Sequence, residues 1–315
     1  MPDSRRPGIP AAALIIALSV AALAGPFQEA QKPAAALTYV GSETCQPCHD
    51  DIFESLQKSP HLGIESRKKL GFEGKACESC HGPGSKHAES ISPEDIRNPA
   101  KLAAGEADKT CLHCHLNQPT HAGRIQSSHA RNQVSCAGCH PIHQKGPAGL
   151  VVRKAADVNQ LCARCHASAS NQFQRPFRHR LPEGAMSCVD CHNPHGSFRP
   201  GMMQTTNANE PGCYKCHTEK RGPFTFEHAP LRLEGCGSCH EPHGSSNPKM
   251  LTRQEARLVC LECHSGLPQS VPGATQSAIG VVPPAFHDLR TPRYRNCTIC
   301  HQKIHGSQVD RNLLR

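Results

Sequence analysis

One uninterrupted apolar stretch stands out from an otherwise polar chain. Ala11 to Ala24 carries no charge, follows Arg5 and Arg6, and closes on Ala22-Leu23-Ala24. That is the layout of a secretory signal peptide, with a positive n-region, an apolar h-region and a small-x-small cleavage site. The run is short for a transmembrane helix, which needs about 20 residues. Nothing later reads as able to cross a bilayer as a helix or a barrel. Beyond it, apolar positions are scattered. Gly25 to Val40, rich in Pro, Ala and Gln, reads as a mobile leader. Asp51 to Lys58 and Gln254 to Cys263 are predicted as short helices, and the Pro-, Gly- and Ala-rich Gly266 to Pro284 as a loop and contact surface. The expected fold is therefore loop-rich, with short α-helices and almost no β-sheet. Its parts are residues 1–24, 25–40 and a single domain over 41–315.

What fills the space between such loops is signalled by the cysteines. All 20 fall in Cys-x-x-Cys-His motifs: Cys45/Cys48, Cys77/Cys80, Cys111/Cys114, Cys136/Cys139, Cys162/Cys165, Cys188/Cys191, Cys213/Cys216, Cys236/Cys239, Cys260/Cys263 and Cys297/Cys300. Neither a disulfide framework nor structural zinc sites require His directly after the second cysteine. Attachment of c-type haem does, because the two thiols become thioethers to the macrocycle and the adjacent imidazole takes one axial position on iron. The proximal ligands are then His49, His81, His115, His140, His166, His192, His217, His240, His264 and His301. The expected cofactor is ten c-type haems.

The motifs recur in pairs, each followed by one spare histidine, which divides the chain into five two-haem modules at 41–100, 101–155, 156–206, 207–253 and 254–315. The spare histidines are His61 and His87, His129 and His143, His179 and His195, His228 and His243, and His287 and His305. Ten haems need ten distal ligands, and the pattern selects these ten. Two histidines are left over. His113 lies between Cys111 and Cys114, and His121 breaks the repeat; both read as solvated surface residues. Which spare histidine serves which haem stays open, since a distal ligand can come from another module.

Composition fits this picture. The chain has no Trp, 3 Tyr and 9 Phe but 27 Pro and 25 Gly, so the large flat apolar surfaces that aromatic cores usually supply must come from the haems themselves. At about 29 residues per haem, none has a private domain. The formal charge of +9 describes the chain without haem. Twenty propionates bring it to roughly −11 with ferrous iron and near −1 with ferric, which removes the case for nucleic-acid binding. Two imidazoles per iron leave no position for a small substrate, and His in place of Met favours low potentials. The sequence therefore points to electron transport rather than catalysis.

The run CYKCHTEKRGPFTFEHAPLRLEGCGSCHEPHGSSNPKML, with HGPGSKH at 81–87 and KIHGS at 303–307, resembles the DmsE/MtrA family of periplasmic decahaem cytochromes, PioA-type relatives included. The resemblance implies bis-His ligation at all ten haems and an outer-membrane β-barrel porin as partner. Through that porin, electrons pass between periplasmic or inner-membrane carriers and an extracellular cytochrome, reductase, donor or acceptor. A charged, loop-rich backbone cannot face lipid, and a barrel with a polar lumen resolves that conflict. A soluble periplasmic shuttle and a multihaem reductase are the alternatives.

Overall fold

The computed structural model describes residues 36–143, 154–206, 210–264, 292 and 296–314. The leading apolar stretch, His287 and the segment Gly266 to Pro284 lie outside the described residues. No described helix is long and apolar enough to cross a membrane. Residues Thr38–Arg315 form one compact unit.

Within it the chain is loops pinned by short helices. The longest described helix, Ala104–His115, has twelve residues. The two predicted helices appear at Asp50–Gln57 and Ala256–Leu261. Among the described residues, strand pairing is confined to isolated bridges, such as Phe177 with Ser245 and Phe226 with Ser307. The described buried apolar side chains are Leu56, Ala76, Ala104, Ala107 and Leu181, outnumbered by buried polar ones. Such a set is too small to drive collapse at about 25 cal/mol per Å², so apolar surface other than side chains must complete the core.

Many helices begin or end in a motif. Ala76–His81 ends on His81, Ala104–His115 on His115, and Asp50–Gln57 starts directly after His49. After two of the motifs the chain makes the same hairpin-like loop. The N–H of Gln204 bonds the carbonyl of Cys191, and that of Thr252 the carbonyl of Cys239, at 2.7 and 3.0 Å. Inside each loop a serine hydroxyl donates across the bend, Ser197 to Met203 and Ser245 to Leu251, both at 2.7 Å. Left-handed backbone at Gly201 and Lys249 turns the corner.

The His-Gly-Ser triplets at 195–197, 243–245 and 305–307 need their glycine. Gly244 has φ +136°, and a Cβ there would lie 2.4 Å from the Gln172 carbonyl oxygen. We expect Gly244→Ala to lower stability by about 1–3 kcal/mol. Gly237→Ala, where a Cβ meets nothing within 4 Å, should stay within about 0.5 kcal/mol. Guanidinium titrations of the two variants check this, and equal stabilities would remove the close-approach argument.

The mobile leader expected up to Val40 ends earlier. Thr38 donates to Ser85 Oγ at 3.0 Å, and the Val40 and Gly41 N–H groups donate to Glu78, each at 2.9 Å. Glu78 also accepts from Gly84 at 2.8 Å and is 1% exposed. Three backbone donors satisfy a buried carboxylate that would otherwise be costly.

Candidate haem-binding sites

The motif cysteines meet in chain order. In four pairs of consecutive motifs the first cysteines hydrogen-bond each other: Cys45 with Cys77, Cys111 with Cys136, Cys162 with Cys188, and Cys213 with Cys236. Cys260 and Cys297 make the fifth such contact. In the first four pairs the bond lets one thiol ionise at its partner's expense. It holds Cys77 and Cys213 down to about 6 and Cys111 and Cys188 to about 7, while pushing up Cys45, Cys136, Cys162 and Cys236. The second cysteines face onward. Cys80 lies within electrostatic reach of Cys111 and Cys114, Cys139 of Cys162 and Cys165, and Cys191 of Cys213 and Cys216. Cys239 stands likewise beside Cys260 and Cys263.

Cys48 and Cys300 stand in the first and tenth motifs of the sequence. Both thiols are exposed, as are Cys114, Cys165 and Cys216, whereas the other fifteen cysteines are half-buried.

The histidines form a second regularity. Nine motif histidines each face one spare histidine at nearly constant separation. The ring centres of His49 and His87 are 6.2 Å apart, those of His61 and His115 6.1 Å, and those of His81 and His143 6.0 Å. His129 and His166 are 6.1 Å apart, His140 and His195 6.0 Å, and His179 and His217 6.3 Å. His192 and His243 are at 6.1 Å, His228 and His264 at 6.2 Å, and His240 and His305 at 6.3 Å. Two imidazoles in van der Waals contact would stand closer. Two imidazoles on opposite sides of one metal ion, at bonds of about 2 Å with each ring centre about 1.1 Å behind its nitrogen, stand about 6.2 Å apart. The residues present thus fit axial ligation of iron.

Ring orientation is fixed from behind. The Nδ1–H of His81, His192, His240 and His301 donates to the carbonyls of Arg97, Gly201, Lys249 and Asn312, at 2.9, 2.7, 2.9 and 2.7 Å. Among the spare histidines, His87 donates to Ser92 O at 2.8 Å and His243 to Gln172 Oε1 at 3.0 Å. His129 donates to Pro194 O at 2.9 Å and His179 to Pro242 O at 2.7 Å, while His228 is bonded to the Ile304 backbone. A proton held on Nδ1 leaves the Nε2 lone pair free, which is the tautomer a metal ligand needs. Burial acts in the same direction: it pushes His195 and His305 down to about 4 and lowers His61, His140, His143, His228, His243 and His264, so these rings are neutral near pH 7.

The carbonyls of Pro194, Pro242 and Ile304 belong to the residues just before the spare histidines His195, His243 and His305. One backbone unit thus aims two rings, its own successor and a histidine upstream. The prolines before His195 and His243 were legible in the sequence; their carbonyl role was not. His113 is exposed as expected. His121 differs from the expected solvated residue. It is half-buried, donates to the His115 carbonyl at 3.2 Å and places its ring edge-on to His195 at 4.3 Å. That is packing distance, too short for an intervening metal. A cleft of about 300 Å³ lined by Pro176, Phe177, Arg178, Arg180, Lys249 and Met250 sets cations on apolar walls, as the carboxylate edge of a macrocycle requires.

A doubled CXXCH motif family matches residues 129–171, 181–222 and 228–269. The chain is 35% identical to the multiheme cytochrome MtrA of Shewanella baltica over 278 residues, 85% of this chain and 78% of that protein. It is 28% identical to the cytochrome c-type protein NrfB of Haemophilus influenzae over 50% of this chain and 82% of that protein. With NrfH of Wolinella succinogenes the identity is 29%, over 29% of this chain and 70% of that protein. Paired attachment motifs, histidines spaced for iron between them and this similarity lead to one conclusion: the chain is a multihaem c-type cytochrome for electron transfer and belongs to the MtrA family.

Proposed function

We propose that all ten motifs carry haem, the terminal ones at Cys45/Cys48 and Cys297/Cys300 included, and that every iron has two histidine ligands. The observation that supports this most is the constant 6.0–6.3 Å separation of the nine facing pairs. In this reading His87, His143, His61, His195, His129, His243, His179, His305 and His228 are the distal ligands opposite His49, His81, His115, His140, His166, His192, His217, His240 and His264, in that order. His287 remains for His301 by count. A haem so held supplies one-electron chemistry at iron. The chain's own part is to fill both axial positions, which keeps small substrates out, and to favour low potentials through imidazole rather than thioether ligation.

The contiguity of the motifs supports a conductor, and the family supports its place. We infer that the chain conducts electrons across the outer membrane inside a β-barrel porin. On one side it exchanges them with periplasmic or inner-membrane carriers, on the other with an extracellular cytochrome, reductase, donor or acceptor. The polar loops of this fold need an aqueous lumen rather than lipid.

The intact native protein is expected to weigh as the processed chain plus ten haems, with ferric iron entirely low-spin. A high-spin ferric fraction in the native protein would sink the bis-His reading. Detergent extraction of outer membranes with pulldown is expected to recover a β-barrel protein alongside it. Recovery as a free periplasmic monomer would make the chain a soluble shuttle instead.

A further inference from the structure

A polar residue stands three places before the first cysteine in each of the first three motif pairs: Ser42 before Cys45, Asp108 before Cys111 and Asn159 before Cys162. One helical turn separates it from that cysteine, so the two share a helix face. In all three pairs its side-chain oxygen accepts the backbone N–H of the first cysteine of the second motif. Cys77 N donates to Ser42 Oγ at 3.4 Å, Cys136 N to Asp108 Oδ1 at 2.7 Å and Cys188 N to Asn159 Oδ1 at 2.9 Å. The Cys188 thiol lies 3.3 Å from the same Asn159 oxygen.

The acceptor is itself held in two of the cases. Arg124 bonds the other Asp108 oxygen through Nε at 3.0 Å and through Nη2. Asn159 Nδ2 donates to the carbonyls of Leu181 and Met186 at 3.1 and 2.9 Å. A hydroxyl, a carboxylate and an amide share no charge and no shape. What they share is an acceptor oxygen at one place, and that acceptor ties the start of the second attachment loop to the helical turn that carries the first. In the fourth pair the corresponding residue is Glu210, whose carboxylate is engaged by Arg221 at 2.8 Å.

We propose that Ser42, Asp108 and Asn159 are positioning residues that set the distance and mutual orientation of the two haems of their pair, and with them the electron-transfer step between those haems. This rests on the reading that both motifs of each pair are loaded. The first cysteine of the second motif anchors its haem through one thioether, and its backbone has no freedom to shift while the bond to the preceding helix holds. The thioether sulfurs of the two haems are then kept as neighbours, as the facing cysteines are.

Soret-region circular dichroism of the holoprotein reads inter-haem orientation through exciton coupling, and intact mass counts the haems. Asn159→Leu is expected to keep ten haems and lose the share of the couplet contributed by one pair in five. Asn159→Asp keeps the acceptor oxygen but loses the Nδ2 donor to the Leu181 and Met186 carbonyls, so it should recover part of the couplet. Ser42→Ala, a smaller change in another pair, should lose a comparable share. A native couplet in ten-haem Asn159→Leu and Ser42→Ala would overturn the proposal, as would an Asn159→Asp spectrum no different from Asn159→Leu. Native mass short of ten haems would instead overturn the loading on which it rests.

Discussion

His243→Ala is expected to turn one haem in ten high-spin in the ferric state and to let that haem bind carbon monoxide once reduced. The ring centres of His243 and His192 stand 6.1 Å apart. With the His243 imidazole gone, the iron on His192 keeps one protein ligand and an open position. The Phe173 ring, 5.1 Å from His243, offers no replacement donor. The haem concerned is the one on Cys188 and Cys191, not the one on Cys236 and Cys239 that precedes His243 in the chain. Serine at both Cys188 and Cys191 in the same protein should therefore abolish the new signal, whereas serine at Cys236 and Cys239 should leave it. The reverse result would mean that His243 serves its own motif and that the inter-pair ligation is wrong. His243→Met should leave all ten irons six-coordinate and raise one midpoint potential, since thioether ligation favours the ferrous state.

The expected pairing shows where sequence reading stops. The motifs, their order and the ten candidate distal histidines follow from spacing, and the nine described spare histidines each face a motif histidine. The matching does not follow from spacing. His129 stands seven residues before Cys136, yet its ring faces His166, and His195 faces His140 across a module boundary. Loops with few apolar residues carry no periodicity to say which way a ring points; a distant carbonyl such as Pro194 or Pro242 decides it. Short helices were legible at 51–58 and 254–263 because a motif histidine often ends or begins one. The exposure of Cys48, Cys114, Cys165, Cys216 and Cys300 was not legible, since every motif reads the same. The role of Glu78 was hidden, because an acidic residue between two motif cysteines reads as solvent-facing, and only the fold delivers three N–H groups to it. Ser42, Asp108 and Asn159 left a trace, the recurrence of a polar residue three places before a motif. Three different residue types disguise it, and the fourth and fifth positions, Glu210 and Arg257, break it.

Asp108→Ala is expected to be the most destabilising single change away from the haem ligands, at about 3–5 kcal/mol. The Arg124 and Asp108 side chains are 7% and 9% exposed. Removing the carboxylate strands a guanidinium away from water, with the Val134 carbonyl and Ser127 hydroxyl as its remaining partners. It also leaves the Cys136 N–H without its acceptor, which adds about 1–3 kcal/mol if that group finds no water. The two costs separate in three variants. Asp108→Asn keeps an oxygen for Cys136 but cannot balance Arg124. Asp108→Leu with Arg124→Met removes both charges and restores apolar packing, so it should recover most of the loss and retain only the parts due to the Cys136 N–H and to the Val134 carbonyl and Ser127 hydroxyl that Arg124 no longer reaches. The chain has no Trp, so guanidinium unfolding is best followed in the Soret band, where loss of axial histidines is visible. Should the double variant be no more stable than Asp108→Ala, the unpaired charge is not the cause. The cost then lies in the attachment loop, which is where a positioning role for Asp108 would put it.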